Sequence, residues 1–335
     1  MEPKLSYVEH QGKAVEDARF SHMMAIALDP TSGYKRGVIR CITNREGDVE
    51  IKGYVDHSQL FMVSGDSLEH FIVGERLQIK NEKEVLDWLT PEGWECIGLE
   101  DPDIWVDRDS GLIHLYFTTP IKPPTNKDKI RIHLGHAVGK SLDFLEMTEP
   151  VLLDNQTIGA EAKSAKEVSI APLNSKGVRL NLIESRDRKL KDRHSVVRVA
   201  VASDMGSAWE YGDIIFHPAE RNIPWIGGHA SPGPLLPKTF FNVGENKLLG
   251  IINGREADTK IDNNVKYGMF SIGLFIYDYE QGKIDWVSPE PFIRDSQAKT
   301  ITFASQFVET GKGEGVLYAH VDDSFVRAYT IRTEN

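Results

Sequence analysis

The chain of 335 residues has only two cysteines, Cys41 and Cys96, each inside an apolar segment. So few cysteines exclude a disulfide framework and a cysteine-ligated metal site, and we expect both thiols to lie reduced in the core. No apolar run approaches the roughly 20 residues that a membrane-spanning helix needs, so no membrane partner is expected. The first residues show no basic segment followed by an apolar one, which predicts a cytoplasmic protein.

A concentrated basic surface is also missing. The formal net charge is −11, with 39 Lys and Arg against 50 Asp and Glu. The basic run Arg188–Arg193 is interrupted by acidic and apolar residues and predicts a solvated loop. Nucleic acid is therefore not an expected partner, because phosphate neutralisation needs many positive charges on one face.

Metal-binding spacing is absent among the histidines as well. They show neither the i, i+4 spacing nor the cysteine pairing of transition-metal ligands. We therefore predict no metal and no cofactor. His229 stands beside a candidate pocket segment and is a candidate for substrate contact.

Helical periodicity is scarce. Only Lys83–Leu89 predicts a short helix, with Asn81 as its N-cap. This scarcity excludes alternating βα units, and with them Rossmann and TIM-barrel folds. Short segments rich in β-branched and aromatic residues, bounded by Gly, Asn or Asp, predict strands instead; they include Leu112–Thr118, Val196–Ala202, Lys247–Ile252, Phe270–Tyr277 and Val316–His320.

One sequence element recurs five times. The copies centre on Asp17, Asp101, Glu167, Ser231 and Phe303, at steps of 84, 66, 64 and 72 residues. Ser/Asp turns at 64–68, 139–144 and 202–209 follow three successive copies at matching places, as outer hairpins would. This spacing predicts an all-β, five-bladed β-propeller of one domain, residues 1–335, in preference to a pair of β-sandwiches.

Carboxylates are concentrated where the repeats begin. The innermost strand of each blade lines the central channel of a propeller, so these acids should converge on one axial pocket. Mutual repulsion and burial raise some carboxyl pKa values, which suits a general acid, and paired carboxylates are the usual equipment for glycoside cleavage. The acids are Glu16, Asp17, Glu100, Asp101, Asp103, Glu161 and Glu167.

Five short motifs resemble glycoside hydrolase family 130, the mannoside phosphorylases and mannosidases. Gly98–Pro102, followed by the strand 111–119, resembles its Gly-x-Glu-Asp-Pro-Arg element and the Tyr-rich strand after it. Further matches follow in family order, at 166–186, 225–234, 248–254 and 318–322.

The resemblance implies that Asp101 is the general acid. It implies sugar contacts by Arg40, Tyr267 and Asp322, and it places Arg186, or else its neighbour Ser185, where the family has a phosphate-binding arginine. Glu167 is the first candidate to orient water, at roughly 6.5–9.5 Å from the acid if the reaction inverts configuration. The full set of predicted substrate-binding residues is Arg40, Glu100, Asp103, Lys166, Arg186, His229, Asn253, Tyr267 and Asp322.

Three positions depart from the family pattern. Asp103 replaces the motif arginine, Trp225 replaces a phosphate-binding lysine, and Asn253 replaces a histidine. Lost cationic groups weaken a phosphate site, because charge-assisted contacts supply much of its affinity. We therefore expect hydrolysis of a β-mannoside or related oligosaccharide. The alternatives are phosphorolysis, with Arg186 and Lys166 holding inorganic phosphate, and a propeller that binds carbohydrate without catalysis.

Overall fold

The computed structural model describes residues 2–47, 54–125, 130–154, 164–187, 194–261 and 264–334. Strands dominate this part of the chain, and one short α-helix, α1, spans Glu82–Leu89. The strands, numbered in chain order, are β1 Leu5–Glu9, β2 Met23–Leu28, β3 Arg36–Glu46, β4 Val55–Ser67, β5 His70–Arg76, β6 Ile79–Lys80, β7 Glu95–Cys96, β8 Glu100–Val106, β9 Ile113–Lys122, β10 Arg131–Gly139, β11 Leu145–Met147, β12 Lys166–Ser169, β13 Arg179–Asp187, β14 His194–Ala202, β15 Glu210–Phe216, β16 His229–Leu235, β17 Lys247–Arg255, β18 Thr259–Ile261, β19 Asn264–Lys266, β20 Phe270–Asp278, β21 Lys283–Val287, β22 Thr302–Gly311, β23 Glu314–Val321 and β24 Phe325–Thr333. Single 3-10 turns lie at Pro30–Ser32, Leu142–Phe144, Pro218–Glu220 and Pro224–Ile226.

Twenty of the 24 described strands form five antiparallel units of four; β6 and β7 add to the edges of the second unit, and β18 and β19 form a separate hairpin. The first four units are β2–β5, β8–β11, β12–β15 and β16, β17, β20, β21. In the fifth unit the N-terminal strand β1 pairs with the C-terminal strand β24, beside β23 and β22. The third and fourth units are joined by a parallel bridge between Ser195 and His229. The two ends of the chain are thus fixed in one sheet.

The hydrophobic core lies between successive units. One cluster, which includes Leu60 and Phe117, packs the first unit on the second, and others join the second to the third, the third to the fourth and the fourth to the fifth. A further cluster, which includes Ile26 and Tyr318, packs the fifth unit back on the first. The five units therefore pack in cyclic order, and each interface buries apolar side chains that would otherwise face water.

The local sequence predictions are largely confirmed. The five predicted strands exist, as does the helix, and the three Ser/Asp turns connect the third and fourth strands of their units. Both cysteines are free; Cys41 is buried and Cys96 half-buried. Asn81 occupies the N-cap position as predicted, but its backbone is left-handed, its side chain makes no capping hydrogen bond, and its amide donates to Glu146. No helix in the described ranges is long and apolar enough to cross a membrane.

The starts of the first strands agree with the repeats in four units. These strands begin at Glu100, Lys166, His229 and Thr302, each within two residues of the predicted position. The first unit differs, since β2 begins at Met23 and Asp17 lies in the preceding turn, paired with Arg19 at 2.8 Å.

Candidate active site

The first strands of the five units, β2, β8, β12, β16 and β22, contact one another in ring order. They enclose a cavity of about 190 Å³ to which every unit contributes, through Ala25, Asp103, Ser169, Gly233 and Gln306 among others. Because strands in each unit are antiparallel, the first strands start at the same face at which the second strands end. The predicted acids at strand starts therefore meet residues near the ends of β3, β13, β17 and β23.

Arg40 on β3 is the centre of a buried charge network. Its Nη1 donates to Asp101 Oδ1 at 2.7 Å, its Nη2 to Glu100 Oε1 at 2.7 Å and its Nε to Ser58 Oγ at 2.9 Å. The backbone before β8 packs closely on β4 beside these contacts. At Gly98 the approach is so close that a Cβ would lie 1.9 Å from the carbonyl oxygen of Ser58. The contacts of Arg40 with Glu100 and Asp101 are therefore set by the packing of the first unit on the second, whereas its contact with Ser58 lies within the first unit.

The two predicted catalytic carboxylates sit on matching irregularities of their strands. Asp101 has φ 48° and Glu167 has φ 47°, in the left-handed region that non-glycine residues seldom adopt. Each lies where the pairing with the next strand shifts register, as in a β-bulge. Backbone strain of this kind persists where the surrounding structure fixes it, and it often marks functional sites.

Asp101 and Glu167 are hydrogen-bonding neighbours. Lys166 Nζ lies 3.5 Å from Asp101 Oδ2 and 3.8 Å from Glu167 Oε1. Burial opposes ionisation of Asp101, but Arg40 and Lys166 outweigh it and lower the pKa of Asp101 to about 2. Burial and the Asp101 charge raise the pKa of Glu167 well above its ordinary value. The pair therefore holds one proton, mainly on Glu167, and its members are in contact instead of separated by a water.

Glu100 completes the acidic side of the network. Its pKa is raised to about 7, because burial outweighs the attraction of Arg40. Asp103, two residues past Asp101, lines the cavity, and burial raises its pKa to about 7 as well. Both carboxyl groups are therefore poised to exchange protons near neutral pH.

A second group of residues stands beside Lys166. Glu184 on β13 is the cross-strand partner of Lys166, and its Oε2 lies 3.1 Å from Nε2 of His229 on β16. Burial opposes ionisation of Glu184, but His229 and Lys166 lower the pKa of its carboxyl below the ordinary range. His229 also packs edge-on against Phe270, with ring centroids 4.9 Å apart.

The fifth unit closes the other side with a histidine and aromatic rings. His320 Nε2 lies 3.3 Å from Asp323 Oδ1, and its Nδ1 accepts the backbone N–H of Ala25 at 3.3 Å. Its ring stacks on Phe303, at 5.1 Å between centroids, and Phe303 contacts Phe270. Burial raises the pKa of Asp323 to about 6, against the attraction of Arg40 and Arg45.

The structure brings six of the predicted site residues together. Five are joined by ion pairs: Arg40, Glu100, Asp101, Lys166 and Glu167. The sixth, His229, pairs with Glu184, the cross-strand neighbour of Lys166. Arg186 is half-buried near the end of β13, opposite Ser195. Tyr267 stacks on Arg255, with the guanidinium 4.6 Å from the ring centre. Glu161 and the run Arg188–Arg193 lie outside the described residues.

Asp322 and Asn253 have their polar atoms engaged by backbone. The Asp322 carboxylate accepts backbone N–H groups of Lys299, Thr300 and Ile301 at 2.8–2.9 Å. Asn253 is fully buried and exchanges two hydrogen bonds with the backbone of Ala304, at 2.8 and 3.0 Å. Their predicted roles in sugar binding stay predictions.

Trp225 belongs to the core. It is 4% exposed, its Nε1 donates to the carbonyl of Ser288 at 3.0 Å, and its ring lies where a Cβ on Gly254 or Gly273 would clash. The position at which the family places a phosphate-binding lysine is thus filled by a buried indole.

The sequence reasoning missed four site residues, Ser58, Glu184, His320 and Asp323. Glu184 could have been found, because it lies opposite Lys166 in a strand that the motifs had identified. Asp323 follows Asp322 directly, so only the direction of each side chain separates the two. Within the described ranges no group of three or more His, Cys, Asp or Glu residues is arranged to hold a metal ion.

No protein-family model matches the chain, and no curated protein matches it either. Solved structures do match over nearly the full chain. The β-1,2-mannobiose phosphorylase from Listeria innocua, in complex with β-1,2-mannobiose, superposes with a TM-score of 0.65 over 97% of this chain and 96% of that chain, at 12% identity.

Two further solved structures match the chain with similar TM-scores and coverage. A structure from a study of family 130 glycoside hydrolases that target β-1,2-mannosidic linkages in Candida mannan has a TM-score of 0.64, 17% identity and coverage of 98% and 93%. A glycosyl hydrolase from Bacteroides ovatus has a TM-score of 0.63, 17% identity and coverage of 92% and 84%. The chain therefore has the fold of the family 130 mannoside phosphorylases and glycoside hydrolases.

Proposed function

We propose that this protein is a glycoside hydrolase with a single five-bladed β-propeller domain that cleaves a β-mannoside or related oligosaccharide with inversion. The observation that carries the proposal is the Asp101–Glu167 pair, held at the centre of the ring by Arg40 and Lys166. The propeller is supported by the five four-stranded units, their cyclic packing and the shared fold. The mannoside is inferred from the matched proteins that act on β-1,2-mannosidic linkages.

In this mechanism the pair acts as one acid. Asp101 protonates the glycosidic oxygen as the bond from that oxygen to the anomeric carbon breaks, and it does so with the proton that it shares with Glu167. Once the proton has left, the pair carries two negative charges, which Arg40 and Lys166 stabilise. Two neighbouring carboxyl groups that cannot both ionise are a common way to keep an acid protonated near neutral pH.

Water is favoured over phosphate as the nucleophile because the cations of the site are engaged. Arg40 is bound by Glu100, Asp101 and Ser58, and Lys166 lies between carboxylates. Trp225 and Asn253, at two positions of the family's phosphate site, are buried in the core. Each missing charge-assisted contact is worth about 1.5–3 kcal/mol, so two would weaken phosphate binding on the order of 10² to 10⁴-fold.

Phosphorolysis is the second candidate. Lys166 is the most exposed member of its network, with 27% of its side chain accessible, so an anion could reach it. Incubation with β-1,2-mannobiose, with and without millimolar phosphate, separates the candidates. We expect phosphate-independent release of mannose. Phosphate-dependent formation of mannose 1-phosphate would establish phosphorolysis, and binding without turnover would establish a carbohydrate-binding protein.

Replacing Asp101 with Asn should lower kcat by about 10²-fold or more, the usual contribution of general acid catalysis. The change keeps the shape of the side chain but removes the carboxylate through which the shared proton reaches the glycosidic oxygen. The matched control is Asp143→Asn, which removes an exposed carboxylate paired with Arg36 and should leave kcat unchanged. Near-normal turnover by the Asp101 variant on β-1,2-mannobiose would reduce Asp101 to a structural residue.

A further inference from the structure

His229 and Glu184 form a buried carboxylate–imidazole pair that the proposed acid does not use. Glu184 comes from the third unit and His229 from the fourth, and the distance between Glu184 Oε2 and His229 Nε2 is 3.1 Å. With 5% of the Glu184 side chain and 16% of the His229 side chain exposed, the imidazole is the more accessible partner. In the part of the chain that the structure describes, His229 Nδ1 makes no hydrogen bond.

The pair has the composition of a general base. An ionised carboxylate that accepts one ring N–H fixes the imidazole tautomer and stabilises the imidazolium that forms when the other nitrogen takes a proton. Here Glu184 accepts from Nε2, so Nδ1 carries the lone pair. Burial lowers the pKa of His229, with Glu184 acting in the opposite direction and Arg255 and Lys166 reinforcing the decrease. The imidazole is therefore neutral near pH 7.

Lys166 links the His229–Glu184 pair to the proposed acid. Lys166 stands opposite Glu184 across the β12–β13 ladder and points its Nζ toward Asp101 and Glu167. The carboxyl groups of Asp101 and Glu167 are in contact with each other, so neither faces the other across a gap that could hold a water. A base for an inverting reaction must therefore come from another residue.

We propose that His229, oriented by Glu184, is the catalytic base that activates water in this site. This inference rests on the proposed hydrolytic function. His229 Nδ1 takes one proton from the water while the water oxygen forms a bond to the anomeric carbon. The bond from that carbon to the glycosidic oxygen breaks, and the leaving oxygen receives the proton of the Asp101–Glu167 pair. The imidazolium then releases its proton to solvent, and the acid pair regains one from solvent.

The first test is His229→Gln, assayed with p-nitrophenyl β-mannoside and with β-1,2-mannobiose. Hydrolysis should fall by about 10² to 10⁴-fold in kcat, with a smaller change in KM. Sodium azide needs no base, so it should restore turnover of the aryl mannoside and yield the α-mannosyl azide. His10→Gln is the matched control, because His10 contacts Thr330 at the edge of the fifth unit; its kinetics should equal those of the wild type.

Glu184→Gln tests the positioning residue. It keeps a hydrogen-bond acceptor but removes the charge that stabilises the imidazolium. We expect a lower kcat, partial rescue by azide, and a basic plateau of the pH–rate profile that begins at lower pH, because the pKa of His229 falls further. A purely structural role of Glu184 would move neither the azide response nor the profile.

Each of the other outcomes would contradict the proposal that His229 is the catalytic base. Wild-type-like hydrolysis by the His229 variant, or a loss that azide does not restore, would remove His229 as the base while the hydrolytic function stands. A wild-type enzyme that forms mannose 1-phosphate only with phosphate would overturn the base and the hydrolytic function, leaving glycoside cleavage. A wild-type protein that cleaves neither substrate under either condition would overturn both proposals.

Discussion

The first strands of the five units fall into two groups. In β2, β8 and β12 the pairing shifts at a residue with left-handed backbone, namely Ala25, Asp101 and Glu167, with φ of 47–48°. In β16 and β22 the pairing also shifts, at Pro232–Leu235 and Ala304–Gln306, but every non-glycine residue of these two strands has negative φ. A shift in strand pairing is therefore accompanied by a strained, left-handed residue in the first group of strands and by no such residue in the second.

The two groups of strands also place different side chains at the site. Two of the strained strands carry the carboxylates in contact with Arg40 and Lys166. The unstrained strands contribute His229 and Phe303 instead. Ala25 shows that the left-handed position belongs to the backbone geometry, because it persists where the side chain is a methyl group. Strain at Asp101 and Glu167 is thus compensated by the charge network, and at Ala25 by packing.

The largest effect is expected from breaking the charge network of the strained group. Arg40→Met leaves Glu100 buried without its cation and Asp101 with Lys166 alone, which should lower the free energy of unfolding by about 3–5 kcal/mol and abolish activity. Chemical denaturation gives the first quantity. Arg36→Met on the same strand removes an exposed ion pair with Asp143 and should cost at most about 1 kcal/mol. Equal losses in the two variants would mean that Arg40 is not the essential counter-ion.

Glu100 should have a smaller effect on the free energy of unfolding, and this effect should depend on pH. The folded protein holds the Glu100 proton up to about pH 7, whereas the ordinary carboxyl loses it near 4.5. Between these values the native state binds more protons than the unfolded state, so stability falls as pH rises. Relative to Glu100→Gln, the wild type should therefore lose stability from pH 4.5 to 7.

Denaturation curves of both proteins across this range measure the Glu100 effect. Glu146→Gln, which changes an exposed carboxylate paired with Lys80, is the control and should run parallel to the wild type. A wild type that gains stability over this range relative to Glu100→Gln would show that Glu100 is ionised in the folded protein.

The smallest effect compares the two groups of strands directly. Ala25→Gly and Ala304→Gly each remove one buried methyl group and add backbone entropy to the unfolded chain. Only Ala25→Gly also relieves a left-handed conformation, worth about 1–2 kcal/mol in an L-residue. The Ala25 variant should therefore be more stable than the Ala304 variant by about that amount in thermal or chemical unfolding. The opposite order would show that the left-handed conformation of Ala25 carries no strain.

Much of the local structure could be predicted because it is encoded in neighbouring residues. β-branched and aromatic segments between Gly, Asn and Asp marked the strands, and the repeats located four of the five first strands. The first copy failed because Val15–Phe20 contains the apolar and acidic residues of the motif, yet it forms a turn held by the Asp17–Arg19 pair. Asn81 stands at the cap position, but its left-handed backbone replaces the extended one of a capping residue, and its side chain makes no capping hydrogen bond.

The candidate site was predicted only in part. Arg40, Glu100, Asp101, Lys166 and Glu167 could be named because short motifs hold them at the starts of strands or beside them. Asp322 and Asp323 could not be told apart, since the turn after β23 decides which carboxylate meets backbone N–H groups and which meets His320. Asn253 and Trp225 could not be assigned to the core, because their burial depends on strands and turns far away in sequence.

Local residue chemistry is enough to predict that the chain forms short antiparallel strands, repeats one element and carries acids at the starts of two of its first strands. These features follow from side-chain size, polarity and turn chemistry, which act between neighbours. The cyclic packing of the units decided that Glu184 meets His229, and that Arg40 meets both Glu100 and Asp101. It also placed Asp101 and Glu167 side by side. Such contacts join residues 45 or more positions apart, as from Glu184 to His229, and their pKa values depend on burial that exists only once all five units have packed.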